Sequence, residues 1–502
     1  MSFHKPVSYT HLDVYKRQAV SQESSQISGA RLVAKVLARL GVRYMFGVVG
    51  IPVTALASHA QSEGIRYIGF HNEQAAGYAA SAVGYLTGMP GVLLTVSGPG
   101  CVHGLAGLSH AQVNCWPMVM LSGSCASKNV SKGDFQELDQ MTAVKPFVKY
   151  AGRPINISDI CHVAEAAVKQ SVEGRPGGTY VDLPADLLQG HVSTDEAEDL
   201  LRSINSITTV NSSSTGEGGG GVGVGGGGEG PFPGLIHAAA ALLTSAERPL
   251  VVVGKGAAYA RAEAEVRQLL ATTGAPALAT PMGKGIFPDS YDRSAAAARS
   301  LALKQCDVAL VIGARLNWIL HFGGPPRWDE KVKFILVDID AEEIKKRNPA
   351  VGLAGDAKTV VRRILDELSK LGTAPLLDSH PWISAIQEKA RANMGKMQRT
   401  LSKDVFPMNF HCSLRVIRDA IKSLGAPEPI IISEGANTMD VSRTVIEHEQ
   451  PRTKLDAGTW GTMGVGIGYT IGAAVSDPSR LVIAIEGDSA FGFSAVEVEC
   501  PE

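Results

Sequence analysis

Two acids stand where an apolar run breaks into a turn, and each could do chemistry there. Asp488 follows "LVIAIEG", and Glu73 follows "IRYIGF" with only His71 and Asn72 between. Open α/β sheets bind ligands at the carboxyl ends of their strands. At such an edge a carboxylate can give a hard oxygen to Mg2+, while the N–H groups of the turn take a diphosphate. Each acid also has a plainer use. Asp488 can cap a turn or helix, and Glu73 can simply answer the dipole of the helix it opens.

Other stretches carry weaker signals. "SGPG" (97–100) lets a backbone approach a ligand or another chain. "GTMGVGIG" (461–468) sets one large side chain, Met463, among small ones, a pattern that suits close helix packing with Met as filler. "VVVGKGAAYA" (251–260) is like a nucleotide-binding strand–turn–helix but lacks the full G-x-G-x-x-G spacing. Asp338, near the end of "KFILVDID", can reach a ribose hydroxyl of an adenine nucleotide (ADP or part of CoA) or close a turn. Trp318 and His103 read as packed side chains. The sequence holds no Walker A, H-E-x-x-H or G-x-S-x-G pattern.

The elements that must position these residues alternate. From Ser28, helix-period runs such as "ARLVAKVLARLG" and "EQAAGYAASAVGYL" alternate with short apolar runs such as "YMFGVVG", "GVLLTVSG" and "PMVMLSG". That alternation predicts parallel sheets covered by helices on both faces. "NSSSTGEGGGGVGVGGGGEGPFPG" (211–234) cannot bury apolar area and reads as a flexible linker. A second α/β run follows it, then a polar helix-rich connection, then a third run with few strands.

Composition adds limits. The 502 residues, 45% hydrophobic and 19% charged with net charge −2, suit several globular domains and supply no basic field for nucleic acid. Seven cysteines, odd in number and without C-x-x-C, read as reduced thiols. No apolar run approaches the roughly 20 residues that span a bilayer. "VSYTHLDVYKRQ" has neither helix nor strand period and resembles a cloning scar.

Taken together, Asn72-Glu73-Gln74 at a helix start, "GTMGVGIG" and a strand ending in "EGDSAFGFS" resemble the thiamine-diphosphate-dependent enzymes, from about Ser28 to Glu499. Within them, "SEGANTMD", "LDAGTWGTMGVG", "TPMGKG" and "GARLNWILHFG" are most similar to the 2-hydroxyacyl-CoA lyases, with the oxalyl-CoA decarboxylases next. The decarboxylases carry His-Glu-Gln, Ser-Ala-Pro-Gly and Tyr-Glu where this chain has Asn72-Glu73-Gln74, "SGPG" and Phe135-Gln136. "GSCASKNVSKGDFQELDQM" nevertheless keeps something of the decarboxylase spacing.

The resemblance implies an α/β fold of three doubly wound parallel-sheet domains. These are a pyrimidine-binding domain (28–205), a Rossmann-like middle domain (235–370) and a truncated diphosphate-binding domain (405–502). A non-native or disordered leader (1–27), a Gly-rich linker (206–234) and a connection (371–404) fill the rest. By the same resemblance, Glu73 bonds the aminopyrimidine N1′ and Gln136 faces the reacting carbons. Asn437, Met439, Gly461, Met463, Gly487, Asp488 and Ser489 hold the cofactor, with Met463 as the wedge that bends it and Asp488 on Mg2+. The implied reaction splits a 2-hydroxyacyl-CoA, as in fatty acid alpha-oxidation, into formyl-CoA and an aldehyde through the thiamine ylid. A homodimer or homotetramer is implied too, with each site between the first domain of one subunit and the last of another. Neither nucleic acid nor membrane is an expected partner, and the location is peroxisomal if the source is eukaryotic, otherwise cytoplasmic. The family's second metal ligand, an Asn, would fall beyond Glu502, so the chain as written is expected to be inactive; the alternatives to the lyase are an oxalyl-CoA decarboxylase and an inert fragment that could only dimerise or bind a nucleotide.

Overall fold

The structure is a computed structural model that describes residues 25–207 and 233–499. The expected leader up to residue 24 and nearly all of the glycine-rich linker lie outside the described residues. Residues 26 and 27, assigned above to the leader, instead belong to strand β1 (Gln26–Ser28), which pairs antiparallel with β8 (His191–Ser193). Three residues are too few to show a strand period in the sequence.

The first unit is a six-stranded parallel sheet. Its strands in chain order are β2 (Tyr44–Gly47), β3 (Arg66–Gly69), β4 (Gly91–Thr95), β5 (Met118–Ser124), β6 (Tyr150–Gly152) and β7 (Gly178–Pro184). Across the sheet they run β3-β2-β4-β5-β7-β6. Every residue of β4, β5 and β7 is buried, as a strand covered on both faces requires. One face carries the helices Gly29–Leu40 and Asp159–Val172, the other Glu73–Thr87 and Pro99–Asn114. The Gly29 helix starts on a cap that its sequence supplies. Ser28 Oγ accepts the Arg31 N–H, and Gly41 closes the helix at φ 95.

The middle unit is a five-stranded parallel sheet ordered β10-β9-β11-β12-β13. It comprises β9 (Pro249–Val253), β10 (Ala277–Ala279), β11 (Val308–Ile312), β12 (Lys333–Asp338) and β13 (Val351–Ala354). The polar connection after it contains the long helix Pro381–Leu401. That helix buries Trp382, Ile383 and Ile386 against one face of the middle sheet.

In the last unit the described strands are β14 (Ile430–Glu434), β15 (Lys454–Asp456) and β16 (Val482–Glu486), parallel in the order β15-β14-β16. Its helix Gly466–Ser476 lies along Glu73–Thr87 of the first unit. A Cβ on Gly468 would stand 2.5 Å from the Ala75 carbonyl oxygen, and one on Gly472 2.6 Å from that of Ala79. The two helices therefore run side by side in the same direction, and their N-terminal ends meet. This is what brings the first and last units together.

Candidate active site

Glu73 begins its helix as expected. The Asn72 side chain caps it, Oδ1 accepting the Gln74 N–H at 2.7 Å, so the acid is held at the first turn. Glu73 is 7% exposed, and its carboxyl group lies under the Pro99–Asn114 helix. A Cβ on Gly100 would stand 3.2 Å from Glu73 Oε1, so glycine there leaves the oxygen room. Glu73 Oε2 is 3.2 Å from Nδ1 of His103, whose side chain is 56% exposed. His103 is thus not the packed side chain its sequence context suggested. The contact spans thirty residues and two helices, which no local pattern reveals.

Gln136 lies on the loop between β5 and the short helix Gln140–Val144, with φ 55. Its backbone sits on Gly98, where a Cβ would meet the Gln136 carbonyl oxygen at 2.5 Å. The loop folds around one carboxylate. Glu137 accepts the N–H groups of Ser131, Gly133 and Asp134, and these bonds, that from Ser131 foremost, hold its carboxyl below the usual range.

The remaining candidates gather at the carboxyl edge of the last sheet. Asn437 and Met439 lie in the first turns of the helix Ala436–Val445 after β14. Gly461 and Met463 lie on the segment between β15 and the Gly466 helix, and Gly487, Asp488 and Ser489 follow β16. Asp488 is exposed, and its Oδ1 accepts the Ser489 N–H at 2.8 Å. Met463 is 39% exposed, so core filling is not its role.

A carboxyl pair that the sequence reading missed holds this edge. Glu434 and Glu486 are register partners at the ends of β14 and β16. The Glu434 carboxylate accepts the N–H groups of Gly464 and Gly466, clasping the turn that presents Met463. Its backbone carbonyl accepts the Gly487 N–H at 3.2 Å. Burial, and then the neighbouring Glu434, push the Glu486 carboxyl well above the usual carboxylate range. The signal was present: both strands end in Glu-Gly.

Asp338 belongs to a separate group. Its Oδ1 accepts the Asp340 N–H at 2.9 Å, which is the turn role, and pairs with Arg175 of the first unit at 3.1 Å. Arg175 also reaches Asp340 at 3.0 Å. Trp318 is half-exposed and donates its indole N–H to the Thr459 carbonyl at 3.0 Å, so it too is not a packed side chain.

A buried acid at one helix start of the first unit, and glycine turns at the carboxyl edge of the last sheet, are the groups that suit a cofactor with a basic ring and a diphosphate. Comparison with known proteins agrees. Thiamine pyrophosphate enzyme models match in three places: the N-terminal TPP binding domain at 27–143, the central domain at 236–364 and the C-terminal TPP binding domain at 434–499. The chain belongs to the thiamine pyrophosphate enzyme family. It is 56% identical over 474 residues to 2-hydroxyacyl-CoA lyase of Oryza sativa subsp. japonica, covering 94% of this chain and 80% of that one. It is 43% identical to 2-hydroxyacyl-CoA lyase 1 of Homo sapiens (95% and 79% covered) and 42% identical to oxalyl-CoA decarboxylase of Escherichia coli K12 (96% and 81%).

The residues present fit thiamine diphosphate. Glu73 is a buried acid packed against Gly100, where only a residue without a side chain fits, and a Cβ on Gly461 would meet nothing within 4 Å. For Mg2+ the donor set is thinner. Among the described residues no cluster of three His, Cys, Asp or Glu gathers, and Asp488 offers a single carboxylate. That falls short of an octahedral protein cage.

Proposed function

We infer that this chain is a carbon–carbon lyase that cleaves 2-hydroxyacyl-CoA to formyl-CoA and an aldehyde. The observation that carries the reading is the 56% identity with a 2-hydroxyacyl-CoA lyase across 94% of the chain, against 42% with an oxalyl-CoA decarboxylase. Bound thiamine diphosphate supplies the carbon nucleophile and the electron sink, and the protein supplies position and proton handling. Glu73 would present its carboxyl group to N1′ of the aminopyrimidine. His103 stands against Oε2 and leaves Oε1 on the Gly100 side. Gln136 offers its amide to the reacting end of the substrate. The Glu434 clasp keeps Met463 projecting from its turn. Asn437, Met439, Gly461, Gly487 and Ser489 would hold the diphosphate end, and Asp488 would offer one carboxylate oxygen to Mg2+.

The site being interfacial in a homodimer or homotetramer, peroxisomal location and a role in alpha-oxidation belong to the same proposal. So does an adenine nucleotide, ADP or part of CoA, in the middle unit. It is supported by Asp338 at a strand end beside Arg175. Calorimetry should show weaker ADP binding to Asp338→Ala than to the unaltered chain, and equal affinity would dispose of that part.

The test of the lyase reading supplies thiamine diphosphate, Mg2+ and a 2-hydroxyacyl-CoA, and follows aldehyde and formyl-CoA. Consumption of oxalyl-CoA with release of carbon dioxide, and no aldehyde from the hydroxyacyl substrate, would transfer the assignment to the decarboxylase. Cofactor binding without either turnover would support the inert reading.

A further inference from the structure

The first unit contains a buried polar network that the proposed mechanism does not use. Gln140, 2% exposed, opens the short helix after the Gln136 loop. Its Oε1 accepts the Gly98 N–H at 2.7 Å. Its Nε2 donates toward Asp182 Oδ1 at 2.7 Å, Tyr180 Oη at 2.9 Å and the Gly123 carbonyl at 3.0 Å. Asp182, 1% exposed, is fixed in turn by Ser124 Oγ at 2.9 Å, Tyr180 Oη at 3.0 Å and Arg153 at 3.1 Å. One amide thus joins β5 and β7 to the turn at Gly98.

That turn is where two candidate groups meet. Gly98 has φ 54 and ψ −103, a conformation open in practice only to glycine, and the Pro99 helix begins directly after it. On one side the turn carries Gly100 against Glu73 Oε1, and on the other it supports the Gln136 backbone. Strained backbone persists only where its surroundings over-determine it. The Gly98 N–H, aimed into the buried interior, has Gln140 as its partner.

We propose that Gln140 is a positioning residue for the Glu73 site. Its amide locks the Gly98 turn, and the turn sets both the space beside Glu73 and the placement of Gln136. The proposal rests on the reading that Glu73 and Gln136 face the cofactor. A bland alternative exists, in which Gln140 merely satisfies buried polar groups and supports the whole unit.

The experiment compares Gln140→Leu, Gln140→Glu, Gly98→Ala and the double variant Gln140→Leu/Gly98→Ala, all in the full chain. Amide hydrogen exchange is read first, without cofactor. Gln140→Leu should lose about tenfold protection in the segments 96–102 and 131–139, while β9 and β11 keep theirs. Gln140→Glu, with its added proton held against Asp182, still accepts from Gly98 and should stay within about threefold of the unaltered chain. Gly98→Ala should repeat the Gln140→Leu pattern, and the double variant should be no worse than either single one, because both act on one turn. With thiamine diphosphate added, exchange of its C2 proton should slow about thirtyfold in Gln140→Leu, with cofactor affinity changed by less than about threefold.

Unchanged protection in Gln140→Leu, protection lost evenly through the chain, or losses that add in the double variant would each overturn the proposal. If Gln140→Leu does not fold, Gly98→Ala and Gln140→Glu carry the same comparison. The hydrogen-exchange result is independent of the lyase reading, which falls instead if Glu73→Gln leaves C2 exchange untouched.

Discussion

At the scale of single residues, burial decides which groups can handle protons. Glu73 is enclosed by two helices, with Oε2 against His103 and Oε1 against Gly100, and the proposed function gives it a proton exchange with a ring nitrogen. Glu73→Gln removes the titratable carboxyl and keeps the shape. C2 proton exchange of bound cofactor, followed by NMR, should fall by at least about a hundredfold, with affinity nearly unchanged. Unchanged exchange would remove Glu73 from the mechanism. His110 shows the opposite use of burial. Enclosed by Tyr78, Trp116 and Tyr469, it is driven down to about 3, by burial first and by Lys255 second. An unfolded chain takes up a proton there below pH 6.5, and the folded one only below about 3. Stability is therefore lost as pH falls from 6.5 towards 3, at up to about 1.4 kcal/mol per pH unit from this group. Urea unfolding at pH 7 and pH 5 should show a smaller difference in His110→Gln than in the unaltered chain.

Among elements, the decisive contact is the helix pair Glu73–Thr87 and Gly466–Ser476. Ridges of small residues let the two backbones approach, and glycines 468 and 472 face the carbonyls of Ala75 and Ala79. Close approach of this kind tolerates no added methyl. Gly472→Ala forces a Cβ to 2.6 Å from the Ala79 oxygen, and we predict a loss of about 1–3 kcal/mol, read as a lower thermal midpoint. The same substitution should loosen the Met463 turn, because that turn leads straight into the shifted helix. A midpoint within error of the unaltered chain would show that the helices can part without loss.

On the scale of the whole molecule, three units meet at one buried node. Lys255 of the middle unit donates to Asn114 Oδ1 of the first at 3.2 Å, and the same oxygen accepts the Thr459 N–H of the last at 2.9 Å. His110 Nδ1 lies 3.1 Å from Thr462 Oγ1, one residue before Met463. Burial pushes the Lys255 ammonium down to about 7, from 10.5 in the unfolded chain. Between those values the unfolded state binds the extra proton, so this group makes stability rise with pH from about 7 to 10.5. Lys255→Met should flatten that rise in denaturant midpoints between pH 7 and 9. An identical rise in the variant would show that the node is not charged as described.

Much of this could be read from the chain alone. Apolar runs alternating with helical ones dictated parallel sheets, since such strands are stable only when covered on both faces. The acids at strand ends, Glu73 and Asp488, and the lone large side chain at Met463 were visible because turn chemistry and strand edges are local. What the sequence could not determine was who stands beside whom. The partnership of His103 with Glu73, of Glu434 with Glu486, and of Gln140 with Gly98 and Asp182 joins residues brought together by sheet register and helix packing. Short strands such as β6 and β13 escaped too, being stabilised by neighbours rather than by their own pattern. Side-chain chemistry is written residue by residue, but charge, burial and hydrogen-bond partnership are properties of the packed interior, and only the tertiary structure assigns them.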